Sequence, residues 1–272
     1  MAQIIGDKKK GSIRQDTYYI YNNKQFVKSK SNLDKNRVMT DPAFENSRKS
    51  MTEFGACSLA ASKLRTSLMP LSKEYGERST WNRLVGTVQE IMLESKGKNN
   101  KGSISFSRFG YFFEGFNFNK SYKFDAVFLA NHEVEYNETK GQVITKISAF
   151  DPSKFINFPK GSTHYRLLTA YCFMSDYKHN KKSNIYIEVV PEVNGQSKIK
   201  YSPLLALNIS AQKSITIKNS TKVNPFPKNT GLVIFIGIEF YKQEGNRFYN
   251  LENRKAMKVL TVFRCGSDVL AP

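Results

Sequence analysis

The spacing of apolar positions changes period along the chain. From Ile13 to Lys30, IRQDTYYIYNNKQFVKSK places aromatic and β-branched residues on both sides of Asn22-Asn23. That pair tolerates the positive φ of a tight turn, so the segment predicts a β-hairpin. A hairpin alone is marginal in water, so this one must dock on the rest of the fold or on another subunit. From Asp41 the period becomes helical, with Asp41 as N-cap, Pro42 at the first helical position and Pro70 closing the segment. Phe44, Met51, Phe54, Ala61, Leu64 and Leu68 are predicted to line one face of that helix. Gly55, Ala56, Ala60 and Ala61 leave room for a close neighbour. A second helix follows in STWNRLVGTVQEIMLES, where Trp81, Leu84, Val85, Val88, Ile91 and Met92 give the strongest periodic signal in the chain. Lys96 to Gly102 reads as an exposed linker.

Strand patterns dominate the remainder. Predicted strands are Tyr122 to Leu129, Gln142 to Phe150, His164 to Met174, Asn184 to Val190, Leu204 to Ile209, Ser214 to Lys218, Leu232 to Tyr241 and Ala256 to Phe263. Gly, Asn and Pro turns separate them and no helical crossover intervenes, which argues for an antiparallel sandwich. LVIFIGI, from Leu232 to Ile238, is expected to be a central strand, with Gly237 marking a bulge or a close backbone approach. The expected class is therefore α+β, mainly β: an N-terminal hairpin and helical pair over residues 1–101, then a jelly-roll-like β-sandwich over 102–272. No internal repeat is present.

Charge sharpens this picture. The 272 residues carry 42 Lys plus Arg against 23 Asp plus Glu, a formal net charge of +19. A polyanionic partner is the first suspicion. Residues 1–108 hold 20 basic and 10 acidic residues, so the charge is spread over both halves rather than confined to one tail. Only Lys8, Lys9 and Lys10 form a run, and KHNKK from Lys178 to Lys182 reads as a hairpin-tip cluster. No segment reaches the roughly 18–20 apolar residues of a membrane span, and the first thirty residues lack the apolar core of a leader peptide. Cys57, Cys172 and Cys265 are odd in number and far apart, which fits buried, reduced thiols. The expected location is the cytoplasm of the producing cell, or an assembled virion or particle within it.

Catalytic chemistry finds little support. There is no G-x-S-x-G, P-loop or dinucleotide fingerprint, and His132, His164 and His179 have no metal-binding spacing. Glu188 and Glu239 sit in strong strands and would form a glycosidase-like pair only if they faced one another in a cleft. The run FSRFGYFFEGFNFNKSYKF interleaves rings with Arg108, Lys120 and Lys123 and suits either a core or base stacking, with the core favoured by the sheer number of rings. No enzyme, cofactor, metal or small-molecule substrate is expected.

The stretch RVMTDPAFENSRKSMTEFG from Arg37 to Gly55, ending in Lys63-Leu64-Arg65, resembles a D-P-A-F…R…E-F-G…L-R pattern in uncharacterised proteins of Bacteroidota bacteria and their mobile elements. Ile236-Gly237-Ile238-Glu239-Phe240 is similar to the segment that ends those proteins. The resemblance implies a bacterial or phage setting and carries over no functional residue.

The expected function is that of a structural, self-assembling protein, a phage-like coat or particle subunit whose basic surface contacts nucleic acid. Lys8, Lys9, Lys10, Arg14, Lys24, Lys28 and Lys30 are the candidates to line the genome. The alternative is a nucleic-acid-binding accessory protein acting as a monomer or small oligomer. There Arg48, Lys49, Lys63 and Arg65 would grip phosphates, with Tyr18, Tyr19 and Tyr21 stacking bases. A module for an acidic protein or polysaccharide would use the same charge. The expected partners are further copies of the chain and nucleic acid.

Overall fold

Asn22 and Asn23 adopt φ of 48° and 63°, the left-handed pair that turns a two-residue hairpin. The computed structural model describes residues 3–5, 8–30, 34–96, 102–252 and 254–264. Two compact units make up the chain, Met1–Met51 and Thr52–Pro272. The sequence-based division at 101/102 falls within the second unit.

In the first unit, β1 (Gln3–Ile5), β2 (Lys8–Ile13), β3 (Asp16–Tyr21) and β4 (Lys24–Ser29) form an antiparallel sheet in that order. β3 and β4 are the predicted hairpin. β1 and β2 add to it, although QII is short and KKKGSI shows no apolar alternation. Helix α1 (Lys35–Thr40) follows, then a 3-10 turn at Pro42–Phe44 and helix α2 (Glu45–Ser67). Asp41 caps as expected, its Oδ1 accepting from the Ala43 N–H at 2.9 Å. None of residues 8–30 and 34–51 is buried.

The second unit contains the rest of α2, then α3 (Leu71–Glu74), α4 (Thr80–Lys96), β5 (Ser103–Ile104), α5 (Phe106–Phe109) and α6 (Phe124–Val127). Strands β6 (His132–Asn137) and β7 (Gln142–Ile147), the turn α7 (Pro152–Phe155) and β8 (His164–Ser175) come next. They are followed by β9 (Tyr177–Asn180), β10 (Ile185–Glu188), β11 (Ser197–Tyr201), β12 (Leu205–Ala206) and β13 (Ile215–Ser220). The chain closes with β14 (Thr230–Glu244), β15 (Arg247–Asn250) and β16 (Ala256–Arg264). The main sheet runs β11-β8-β14-β15, with β12 also pairing β8 and β16 also pairing β14. A second sheet has order β13-β7-β6, and a small third has β10-β9-β5.

β8 and β14 are buried on both faces, which explains their near-continuous apolar runs. Leu168, Ala170, Cys172, Val233 and Phe235 meet Ala56, Ala60, Ala61, Leu64, Leu84, Val88 and Ile91 of the helices in one core. Alternate residues such as Leu167 and Ile236 pack against Ile147, Ile215 and Ile217 of the second sheet. The result is mainly antiparallel β-structure with α-helices on one face. Gly237 is a site of close approach: a Cβ there would lie 3.1 Å from both Leu168 Cγ and the Ala256 carbonyl oxygen. The register shift in β14 falls between Ile234 and Phe235 instead.

Two local expectations are corrected. Met51 and Phe54 are more than half exposed, and the buried stripe of α2 is Ala56, Cys57, Ala60, Ala61 and Leu64, continued by Leu68. Small side chains let this helix sit close to the sheet, so position mattered more than bulk. Tyr122 to Leu129 is not a strand, because Phe124, Val127 and Phe128 recur at i, i+3 and i+4 and are buried by the turn α6. The aromatic run is likewise core: Phe106, Phe113, Phe118 and Phe124 are all fully buried. No described helix is long and apolar enough to cross a membrane.

Candidate nucleic-acid interface

Because side chains alternate along a strand, the register of β3 with β4 sorts the first unit's residues by face. Tyr19 pairs Phe26, Tyr21 pairs Lys24 and Thr17 pairs Lys28, all on one face. Ser12 joins them through a 3.2 Å contact of its hydroxyl with that of Thr17. Tyr18, Val27, Ile20 and Gln25 occupy the opposite face. The Lys9 ammonium lies 6.0 Å from the Tyr18 ring centroid, which places Lys9 with them.

The first of these faces is both aromatic and cationic. Tyr19 is 42% exposed, Tyr21 57% and Phe26 40%. The Tyr19 and Phe26 rings are stacked, with centroids 5.5 Å apart and an 18° angle between planes. Lys24 and Lys28 are exposed on either side of that pair. Among the described residues, no carboxylate lies within ion-pairing distance of Lys10, Arg14, Lys24, Lys28 or Lys30. Residues 1–51 hold 11 Lys plus Arg and 5 Asp plus Glu, so the unit carries a net positive charge.

Not every sequence candidate contributes here. Lys8 donates from its ammonium to the Asn23 carbonyl and so braces the hairpin tip. Arg48 donates from Nη1 to the Val38 and Asp41 carbonyl oxygens at 2.8 Å each, which ties α1 to α2. Lys49 is exposed on α2 in the first unit. Lys63 and Arg65 belong to the second unit, where the Arg65 guanidinium stacks 5.0 Å from the Trp81 ring centroid. Tyr18 faces away from Tyr19 and Tyr21, so the three tyrosines do not form one platform. Phe26 carries no signal of its own in the sequence, although its place opposite Tyr19 follows once the turn is set at Asn22-Asn23.

The chemical groups that the sequence singles out in the second unit make contacts within the fold. Glu239 does not face Glu188. Its carboxylate accepts from Arg166 Nε at 2.7 Å, the Tyr241 hydroxyl at 2.6 Å and the Tyr75 hydroxyl at 3.1 Å, and Lys255 lies 3.8 Å away. Burial alone would raise its pKa, but the Tyr241 and Arg166 hydrogen bonds and the two cations hold it below the usual carboxylate value. Glu188 has the Tyr177 hydroxyl at 3.5 Å. Cys57 and Cys172 are buried, and burial pushes each thiol up to about 12. Cys265 lies outside the described residues. His132 Nδ1 contacts the Ala130 carbonyl oxygen at 2.8 Å, and His179 Nε2 contacts Asn184 Oδ1 at 3.0 Å. A shallow cleft of about 450 Å³ is lined by Tyr122, Phe158 and Arg254 among others.

No family model matches the chain, and no curated protein matches it. Among solved structures, one match comes from work on pH-induced modulation of Streptococcus parasanguinis adhesion by Fap1 fimbriae. It is 10% identical, covers 47% of this chain and 78% of that one, and has a TM-score of 0.22, too low to bear on fold or function.

Proposed function

We propose that the chain is a non-enzymatic structural protein that binds nucleic acid through its N-terminal unit. One observation carries this reading: a cationic, aromatic sheet in which no side chain of β2, β3 or β4 is buried. Sheets keep exposed rings and unpaired lysines when a partner covers them, and this composition suits a polyanion. Binding must then weaken with salt. If Lys10, Lys24, Lys28 and Lys30 each neutralise one phosphate of a single strand, affinity falls about fiftyfold between roughly 50 and 200 mM salt. A flat response over that range removes phosphate neutralisation, and with it this reading.

Assembly of copies into a coat-like particle is a second reading. It is supported by the outer strands β1 and β4, each of which, among the described residues, has a neighbour on one side only. Light scattering of the purified protein, with absorbance at 260 and 280 nm across the peak, tests it. A megadalton species containing nucleic acid is the expected outcome for a particle, and a 31 kDa peak argues against assembly.

A further inference from the structure

Resting on the nucleic-acid reading, we infer that the sheet face bearing Tyr19, Tyr21 and Phe26 binds single-stranded nucleic acid, with bases stacked on the rings and phosphates on Lys24 and Lys28. The rings stand where bases can reach them, since all three are at least 40% exposed on one face. Tyr19 and Phe26 already form a two-ring stack, so a base placed on an outer ring face extends it. Tyr21 lies two residues beyond Tyr19 on the same strand, about 7 Å along it. That is roughly twice the 3.4 Å rise per nucleotide of a stacked strand, so neighbouring bases must part to use both rings. A duplex, whose bases already cover one another, cannot do this without melting. Lys24 lies directly opposite Tyr21 and Lys28 directly opposite Thr17, which sets a cation beside each end of the ring row.

Charge argues against the same face of a second copy as the occupant, because each would bring Lys24 and Lys28 against their like. An anionic lipid surface would be better met by a continuous apolar face with cations at its rim. Here hydroxyls of Ser12, Thr17, Tyr19 and Tyr21 interrupt the apolar area.

The test uses the full chain and fluorescence anisotropy, with a labelled oligothymidine of about 20 nucleotides and a duplex of about 20 base pairs. The single strand is expected to bind at least about tenfold more tightly than the duplex. Tyr19→Ala, Tyr21→Ala and Phe26→Ala are each expected to weaken single-strand binding about tenfold, or about 1.4 kcal/mol. Tyr19→Phe and Tyr21→Phe keep the rings and should retain affinity, while Val27→Ala on the opposite face should leave it unchanged. Equal affinity for both forms, or alanine variants that bind as the parent does, overturns the single-strand assignment and leaves nucleic-acid binding standing. Binding to neither oligonucleotide overturns both. Anionic phosphatidylserine vesicles, offered in parallel, assign the face to lipid and overturn the inference if they bind while the oligonucleotides do not.

Discussion

Replacing Glu239 by Gln keeps the shape of a buried side chain and removes its charge. The carboxylate lies opposite Arg166 in the β8–β14 pairing and is 3% exposed. It receives hydrogen bonds from Arg166, Tyr241, Tyr75 and Asn250, which come from four separate segments. An amide accepts through one oxygen only, and its NH2 group would face donors on the other side. Hydrogen bonds to a charged group contribute about 1.5–3 kcal/mol each, against about 0.5–1.5 for neutral ones. Arg166 is a third exposed, so water recovers part of its loss. The expected cost is about 2–4 kcal/mol. For a unit of this size that corresponds to a Tm lower by roughly 5–12 °C at neutral pH.

The same network fixes the sign of the pH dependence. Glu239 has a folded-state pKa below its ordinary value of 4.5, so its stabilisation is fully present above that value and is lost as pH falls through the folded value. Thermal melts followed by circular dichroism should therefore show a gap between parent and Glu239→Gln that is widest near neutral pH and narrows in acid. A Tm within about 1 °C of the parent at neutral pH, or a gap unchanged down to about pH 2, would show that the charge on Glu239 does not stabilise the fold.

Leu64→Ala, in the buried stripe of α2, should cost about 2–5 kcal/mol in urea unfolding, whereas Met51→Ala at an exposed position should change stability by less than about 0.5 kcal/mol. Asp176 accepts from the Ser105 hydroxyl at 3.0 Å and from the Ser107 N–H at 2.8 Å, so Asp176→Ala should speed hydrogen exchange across residues 103–107; unchanged exchange there would count against this latch. In a Cys265→Ser background, Cys57 and Cys172 should resist a thiol reagent until the protein unfolds, because burial lifts both thiols to about 12 and closes off their sulfurs. Rapid labelling of the native protein would contradict their placement.

How much of this was legible in the sequence depended on what each element buries. β8, β14 and β16 read clearly because both faces of the first two are apolar and their turns are marked. α4 was equally clear, with Leu84, Val85, Val88, Ile91 and Met92 all buried at helical spacing. β11 and β15 escaped notice because SKIKY and RFYN lie at the margins of the main sheet and carry polar, largely exposed side chains. In α2 the large residues Met51 and Phe54 misled, since alanines at the contact allow a closer approach than bulk does.

The hairpin of the candidate site was legible from Asn22-Asn23, yet its working face was not. Tyr18 and Tyr19 are adjacent in sequence and opposite in space, and only the pairing of Tyr19 with Phe26 shows which rings act together. Long-range contacts such as Tyr75 with Glu239, 164 residues apart, leave no local signal at all.

Ultraviolet crosslinking of a single-stranded oligonucleotide to the full chain, with adducts mapped by mass spectrometry, tests directly where the strand binds. Base stacking on the hairpin face should give adducts on Tyr19, Tyr21 or Phe26 that are lost when salt is raised. Adducts confined to residues 52–272, or none at a concentration where binding is saturated, would contradict it.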